Sequence, residues 1–368
     1  MSGRKPTKPA AAPAVQDLAG ALETLLPRSI LASLPAHGNT TWRAWPLAMT
    51  ALGWAFSGET ELAARFAEAQ VVASGLFGKP LPATYRGFIK ALVKWTDVLV
   101  AVVLHHLRQR LMRLDSARWK IGRFVPLAVD GTRIATPRTQ SNEERFVARR
   151  SRKKQATARE VQPQLWATVV WHVQLALPWA WQLGPYDASE RQHLELLLGQ
   201  LPEHSLLVAD AGYTGYDLWS KILAAQHHLL VRVGSHVTLL KKLGKVCGNL
   251  VCLWPERVRR RDEAPLLLRL VQVRAKGRVI YLVTSVLDRG ELSDQQIAEL
   301  YRRRWGIEVF LRTFKQTYGR ATLRSHSADH AICELAWSLL GILAMRLVAA
   351  RRSWPRAKAS TNSATGPC

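Results

Sequence analysis

Four stretches before residue 118 place apolar residues at three- and four-residue intervals, each bounded by Pro, Gly or Asn. They are VQDLAGALETLL, TTWRAWPLAMTALGWAF, ELAARFAEAQVVASGLF and the long TYRGFIKALVKWTDVLVAVVLHHLRQRLMRL. That period predicts helices only over 15–118. This region is a candidate for DNA binding, with a plain packing bundle as the equal alternative. Near Phe124 the pattern changes to short apolar or alternating runs. FVPLAVDGTRI, LWATVVWHVQL, PWAWQLG, SLLVADAGY and HHLLVRVG read as strands. SERQHLELLLGQLP and YDLWSKILAAQ read as helices, the first capped by Ser189.

The order is therefore βββαβαβ, that of a ribonuclease-H-like α/β fold with helices on both faces of a sheet. A second β-rich stretch follows over about 235–288, with HVTLLKKL, NLVCLW, PLLLRLVQVRA and RVIYLVTSVL as strands and turns at Gly248, Pro255 and Gly277. It reads as an insertion. A long helix starts near Ser293, with Ser293 or Asp294 as its cap, and a last apolar helix runs from about Asp329 to Arg351. The expected division is 1–14 disordered, 15–118 an all-α N-terminal domain, 119–352 the α/β domain with its insertion, and 353–368 an unstructured tail.

Charge then narrows the partner. The 368 residues hold 52 Lys and Arg against 27 Asp and Glu, a formal net charge of +25. An excess this large favours a polyanion, nucleic acid above all. The stretch just after the first strand carries Arg145, Arg149, Arg150, Arg152, Lys153, Lys154 and Arg159 and is expected to track a phosphate backbone. The four cysteines have no metal-ligand spacing, which argues against zinc and against a disulfide framework. No signal peptide is visible, and the apolar run Leu335 to Met345 is short for a bilayer. A soluble, cytoplasmic protein with no membrane partner is expected.

Three acids stand out by context. Asp130 and Asp210 each end an apolar run that is bounded by a Gly. Such strands are usually buried, and a carboxylate there needs compensation. Taken singly, each also fits an Asp that hydrogen-bonds a strand-to-turn transition. Glu308 lies in YRRRWGIEVFLRTFK. At roughly 100° per residue, Tyr301, Arg304, Glu308 and Lys315 fall within a roughly 60° arc, apart from the apolar arc of Leu300, Ile307, Phe310, Leu311 and Phe314. Trp305 projects beside the polar arc, where an indole could stack on an unpaired base. Three carboxylates suit two hard cations, Mg²⁺ or Mn²⁺, rather than zinc. Such a pair activates an oxygen nucleophile and stabilises the leaving oxygen at phosphorus.

These motifs resemble those of the bacterial insertion-sequence transposases with a DDE triad, in the group marked by a Y-(2)-R-(3)-E-(6)-K signature. Tyr301, Arg304, Glu308 and Lys315 match every spacing, and VDGTRI and VADAGYTGY look like the two Asp motifs. The resemblance covers roughly 120–335. It implies cut-and-paste transposition: 3′-end hydrolysis, second-strand cleavage through a hairpin, and strand transfer to target DNA. It implies Asp130, Asp210 and Glu308 as the metal-binding triad, and Tyr301, Arg304 and Lys315 as phosphate contacts. Terminal inverted repeats and target DNA would be the substrates, with a homodimer pairing the ends.

Other chemistries fit less well. A haloacid-dehalogenase phosphatase needs an Asp where Ala128 stands, and no P-loop is present. The rival from another class is a catalytically inert copy that only binds DNA. It is suggested by a chain that continues for a single helix beyond the glutamate helix.

Overall fold

The computed structural model describes residues 20–34, 42–77, 84–113, 116–147, 162–234, 244–255, 264–275 and 277–353. The helical period of the first third is realised as α1 (20–25), α2 (Ala44–Phe56), α3 (Leu62–Phe77) and α4 (Tyr85–Met112). Thr84 caps α4 by accepting from the Gly87 amide. Trp42, Phe66 and Phe88 knit these helices together, with the Phe66 and Phe88 rings stacked at 4.9 Å.

The strands are β1 (Val125–Ala135), β2 (Gln164–His172), β3 (Leu177–Gly184), β4 (Ser205–Ala209), β5 (His228–Val233), β6 (Gly244–Cys247), β7 (Leu250–Leu253), β8 (Leu266–Ala275) and β9 (Arg278–Thr284). All nine belong to one sheet in the order β3-β2-β1-β4-β5-β9-β8-β7-β6. β4 and β5 run parallel to β1, and the remaining neighbours pair antiparallel. The β-rich stretch thus extends the first sheet, because β9 hydrogen-bonds to β5. Gly248 and Gly277 sit at positive φ in its two tight turns, which side chains with a Cβ rarely adopt. The expected strand HVTLLKKL falls at residues 236–243, outside the described residues.

Helices cover both faces. On one side lie α6 (Glu190–Leu197), capped by Ser189, and α7 (Tyr216–Ala224). On the other lies α8 (Asp294–Gln316), whose cap is Ser293 in a full capping box with Gln296. A short helix, α5 (Gln140–Phe146), follows β1 and was not evident from apolar period; Thr139 caps it, and Phe146 anchors it. The final helix is α9 (Ala328–Ser353). One core joins α1, α2 and α4 to α9 and to the sheet residues Leu127, Val129 and Trp179. The all-helical region therefore shares its interior with the sheet.

Residues 328–349 of α9 are long and apolar enough to cross a membrane, contrary to the shorter run read from sequence. In the fold, 83% of that window is buried, against α2, α4 and β3. A buried ion pair pins α9 in place. Arg65 Nη1 of α3 donates to Glu334 Oε1 at 3.0 Å. Glu334 Oε2 accepts from the Arg324 and Ser325 amides and the Ser325 hydroxyl. Both oxygens of this buried carboxylate thus have partners, one cationic and three neutral, which is the condition for a tolerable buried charge.

Candidate active site

The register of β1 on β4 pairs Ala128 with Val208. Two residues further along stand Asp130, midway along β1, and Asp210, just past the end of β4, on the same face of the sheet. Adjacent strands are about 4.8 Å apart. The pattern of apolar runs ending in an acid is thus resolved into two neighbouring carboxylates. Asp130 Oδ1 accepts from the Gly131 amide at 2.9 Å. Asp210 leaves its strand as the cap of a 3-10 turn, Ala211–Tyr213, with Oδ1 accepting from the Gly212 amide at 2.8 Å. The plain turn role weighed for each Asp is therefore present, and it occupies one oxygen of each.

The third acid arrives on α8, which lies across β1 and β4. Its apolar arc is buried as the helical wheel requires: Leu300, Ile307, Phe310, Leu311 and Phe314 are all in the core. Phe310 stacks on Trp171 of β2 with ring centroids 4.4 Å apart. The polar arc then faces the strand ends. Arg304 is 8% exposed and donates from Nη2 to Glu308 Oε1 at 2.6 Å. The Tyr301 ring lies 5.4 Å from the Arg304 guanidinium.

Electrostatics tie the three acids together. Burial pushes the Asp130 carboxyl up to about 6; the Gly131 amide opposes this, Glu190 adds to it, Arg304 opposes it and Glu308 adds to it. The guanidinium of Arg304 is held above its ordinary value by Tyr301, Glu308 and Asp210, against the pull of burial. Arg304 is the group whose charge is common to Tyr301, Glu308 and both aspartates.

The other sequence candidates sit differently. Lys315 is half-buried two turns further along α8, its ammonium value lowered by burial, with no carboxylate in ion-pair range among the described residues. Trp305 is 55% exposed, so it is no core tryptophan. Arg149, Arg150, Arg152, Lys153 and Lys154 lie outside the described residues. Arg145 is described and stands 3.8 Å from Asp329.

Glu190, the first residue of α6, was not singled out from sequence. Its carboxylate lies over the Cα of Gly131. Burial raises its carboxyl value; Tyr213 opposes this, Asp210 adds to it, and Arg133 opposes it. An acid in the first turn of a helix is an ordinary feature of helix ends, so the sequence carried no signal to distinguish it. The next residue, Arg191, clamps the Asp210 loop through the Gly212 carbonyl at 2.9 Å and the Thr214 carbonyl.

The donor set is carboxylate oxygen, with Asp130 costly as an anion until a cation compensates it, which fits a hard divalent ion. Among the described residues no three acidic, imidazole or thiol groups stand close enough to hold a single ion as they are placed. Sharing two ions between pairs of acids does not require such a triplet, since magnesium keeps several waters.

A family model described as "Transposase DDE domain" matches residues 123–343. The transposase InsG for insertion sequence element IS4 of Escherichia coli K12 is 32% identical over 235 residues, which cover 60% of this chain and 51% of that protein. The chain thus spans about half the length of this curated relative. A solved structure, the piggyBac transposase synaptic complex with hairpin DNA, is similar over 93% of this chain and 73% of its own, at 10% identity and a TM-score of 0.42. The family match extends over more than half of the sequence and takes in β1, β4 and α8 with all three acids: the chain belongs to the DDE-domain transposase family.

Proposed function

We propose that this chain is a DNA transposase that cuts and rejoins insertion-sequence ends by metal-dependent phosphoryl transfer, with Asp130, Asp210 and Glu308 as its catalytic carboxylates. What supports the reading is the register that sets Asp130 of β1 and Asp210 after β4 on neighbouring strands, with α8, the helix of Glu308, packed across both. The strand order β3-β2-β1-β4-β5, antiparallel for the first three and parallel from β1 to β5, supports a ribonuclease-H-like core over 119–352 with the insertion at about 235–288.

Asp130 would hold both of two Mg²⁺ or Mn²⁺ ions, Asp210 one and Glu308 the other. When bound, such a pair activates a water or 3′-hydroxyl and neutralises the leaving oxygen of an in-line displacement. The protein's own groups set the rest. Arg304 holds the Glu308 carboxylate in place and offers its remaining N–H groups to a phosphate. Tyr301 braces Arg304 from the ring face. Exposed Trp305 offers a stacking surface to a base that has left the duplex. Lys315, two turns further along α8, adds a phosphate contact, and so do Arg149, Arg150, Arg152, Lys153 and Lys154 of the basic stretch. The partners in this reading are terminal inverted repeats and target DNA, with two protomers pairing the ends, in the cytoplasm where bacterial DNA lies.

A nicking assay on DNA carrying the element's own ends, in Mn²⁺, tests the proposal. Strand cleavage by the native chain and none by Glu308→Ala is the expected result. Binding without any cut by the native chain would favour the inert DNA-binding reading.

A further inference from the structure

The exposed side chain of Arg133 is held against two aromatic rings. Its guanidinium carbon lies 4.4 Å from the ring centroid of Trp166 and 4.3 Å from that of Tyr186. Backbone structure fixes both rings. Trp166 is the cross-strand partner of Arg133 on β2, and Tyr186 sits in the turn that the Ala188 amide closes on the Pro185 carbonyl at 3.0 Å. Ring contacts of this kind orient a guanidinium and leave its N–H groups free to donate. Among the described residues no carboxylate lies within ion-pair range of Arg133, and no acceptor takes its N–H groups. Glu190, an acid near enough to feel its charge, shares a hydrogen bond with the Tyr213 hydroxyl instead. An exposed arginine ordinarily keeps its rotamer freedom; this one is fixed without an anion to bind.

We infer that Arg133 is a preset clamp for one DNA phosphate beside the cleavage point. The inference rests on the transposase reading above and adds the path of the DNA strand away from the acids. Arg133 stands three residues beyond Asp130 on β1, about 10 Å at the rise of a strand. One strand of duplex DNA advances about 3.4 Å per nucleotide, so the phosphate held by Arg133 is within about three nucleotides of the one at Asp130. Odd-numbered residues of β1 face α6 and even-numbered ones face α8, since Leu127 and Val129 share a core with Leu194 and Ala128 and Ile134 share one with Ile307. Arg133 therefore points away from Glu308, and the strand it binds passes over β1 to the α6 side. Between Val129 and Ile134, β1 has a strand partner on one side only, so no strand blocks that passage. The planar fork of arginine grips two phosphate oxygens at once. Its ordering is complete before DNA arrives, which removes a usual penalty of binding. The competing role is a staple, in which the guanidinium only ties β1 to the turn before α6.

Methylphosphonate interference separates the two roles. The probe is a duplex carrying the element's own end, with single phosphates on either strand replaced in turn by neutral methylphosphonates. Fluorescence anisotropy reads its affinity for the full chain. The native chain is expected to lose about tenfold where the replaced phosphate is the one held by Arg133, within about three nucleotides of the cut. Arg133→Gln is expected to bind the unmodified duplex about tenfold more weakly, with a salt slope smaller by about 0.9, and to lose nothing further at that position. Arg133→Lys keeps the charge without the fork, and Tyr186→Leu removes one ring without touching the charge; both are expected to fall between. These two carry the test should the Gln variant fail to fold. Native affinity in Arg133→Gln together with a lowered melting temperature would make the residue a staple and overturn the inference. Native affinity in both Arg133→Lys and Tyr186→Leu would overturn it too, since charge alone would then be acting. A native chain that neither binds nor cuts the duplex would sink the transposase reading and the clamp together. Binding and cutting by the native chain, with no replaced phosphate coupled to Arg133, would sink the clamp alone.

Discussion

Arg304 donates to Glu308 across 2.6 Å, one turn apart on α8, and the guanidinium is the more deeply buried of the two. A carboxylate at a cluster of acids is thus paired with a cation from its own helix. Arg304→Ala leaves Glu308 without its partner beside Asp130, and a loss of about 1–3 kcal/mol is expected in the metal-free protein. Mn²⁺ supplies positive charge at the same place, so added Mn²⁺ should restore part of that loss. Denaturant unfolding of both chains with EDTA and with Mn²⁺ measures it; an identical deficit in the two conditions would separate Arg304 from the cation site.

Asp130 predicts a pH signature. Its carboxyl is raised to about 6 from the ordinary carboxylate range, so between about pH 4 and pH 6 the folded chain binds more protons there than the unfolded one. The metal-free protein therefore loses stability from this residue as pH rises through that window and holds a constant penalty above it. Asp130→Asn removes the penalty. In EDTA at pH 7.5 it should be more stable than the native chain by up to about 3 kcal/mol, and the gap should close toward pH 4. A gap that does not change with pH would contradict the assignment.

Glu308→Ala should abolish strand cleavage in Mn²⁺ while leaving DNA affinity within about twofold, because a basic surface supplies most of the binding. A fluorescence-anisotropy titration beside the nicking assay reads both. Affinity of both chains should fall steeply with salt, and a flat response would remove phosphate contacts from the account.

Trp305 is exposed, so Trp305→Ala should leave the melting temperature unchanged. Binding to DNA ends with unpaired bases should weaken by roughly 1–3 kcal/mol, with little effect on fully paired duplex. Equal weakening on both substrates would make the indole a general contact.

The Arg65–Glu334 pair gives a stability prediction away from the site. Glu334→Ala leaves a guanidinium 3% exposed without its counter-ion and frees three donors of the loop before α9. A cost of about 3–5 kcal/mol is expected, read from the denaturation midpoint. A cost under about 1 kcal/mol would mean that water reaches Arg65.

Much of this fold could be read from local signals. β1, β4 and β5 are short apolar runs closed by turn residues, α6 and α8 start at serine caps, and the apolar wheel of α8 is the face that packs. The Tyr301–Arg304–Glu308 arc was legible because helical geometry is local. The meeting of Asp130 with Asp210 was legible only as an expectation, since it depends on the register of β1 against β4, which no local pattern encodes. The union of β9 with β5 is of the same kind. The short helix α5 escaped because seven residues give too little period, and Glu190 because its neighbours become visible only once the chain has folded back.

The seam between β5 and β9 makes strands β6 to β9 a structural extension of the plate that carries Asp210. Each added strand advances the plate by about 4.8 Å, so four of them project firm backbone about 19 Å beyond β5. Excising them would not trim a loop. It would strip the amide and carbonyl partners from Leu230 to Val233 and leave a raw edge one strand from Asp210. Such an edge recruits other chains, so shortened variants of this protein should be limited by self-association before they are limited by chemistry.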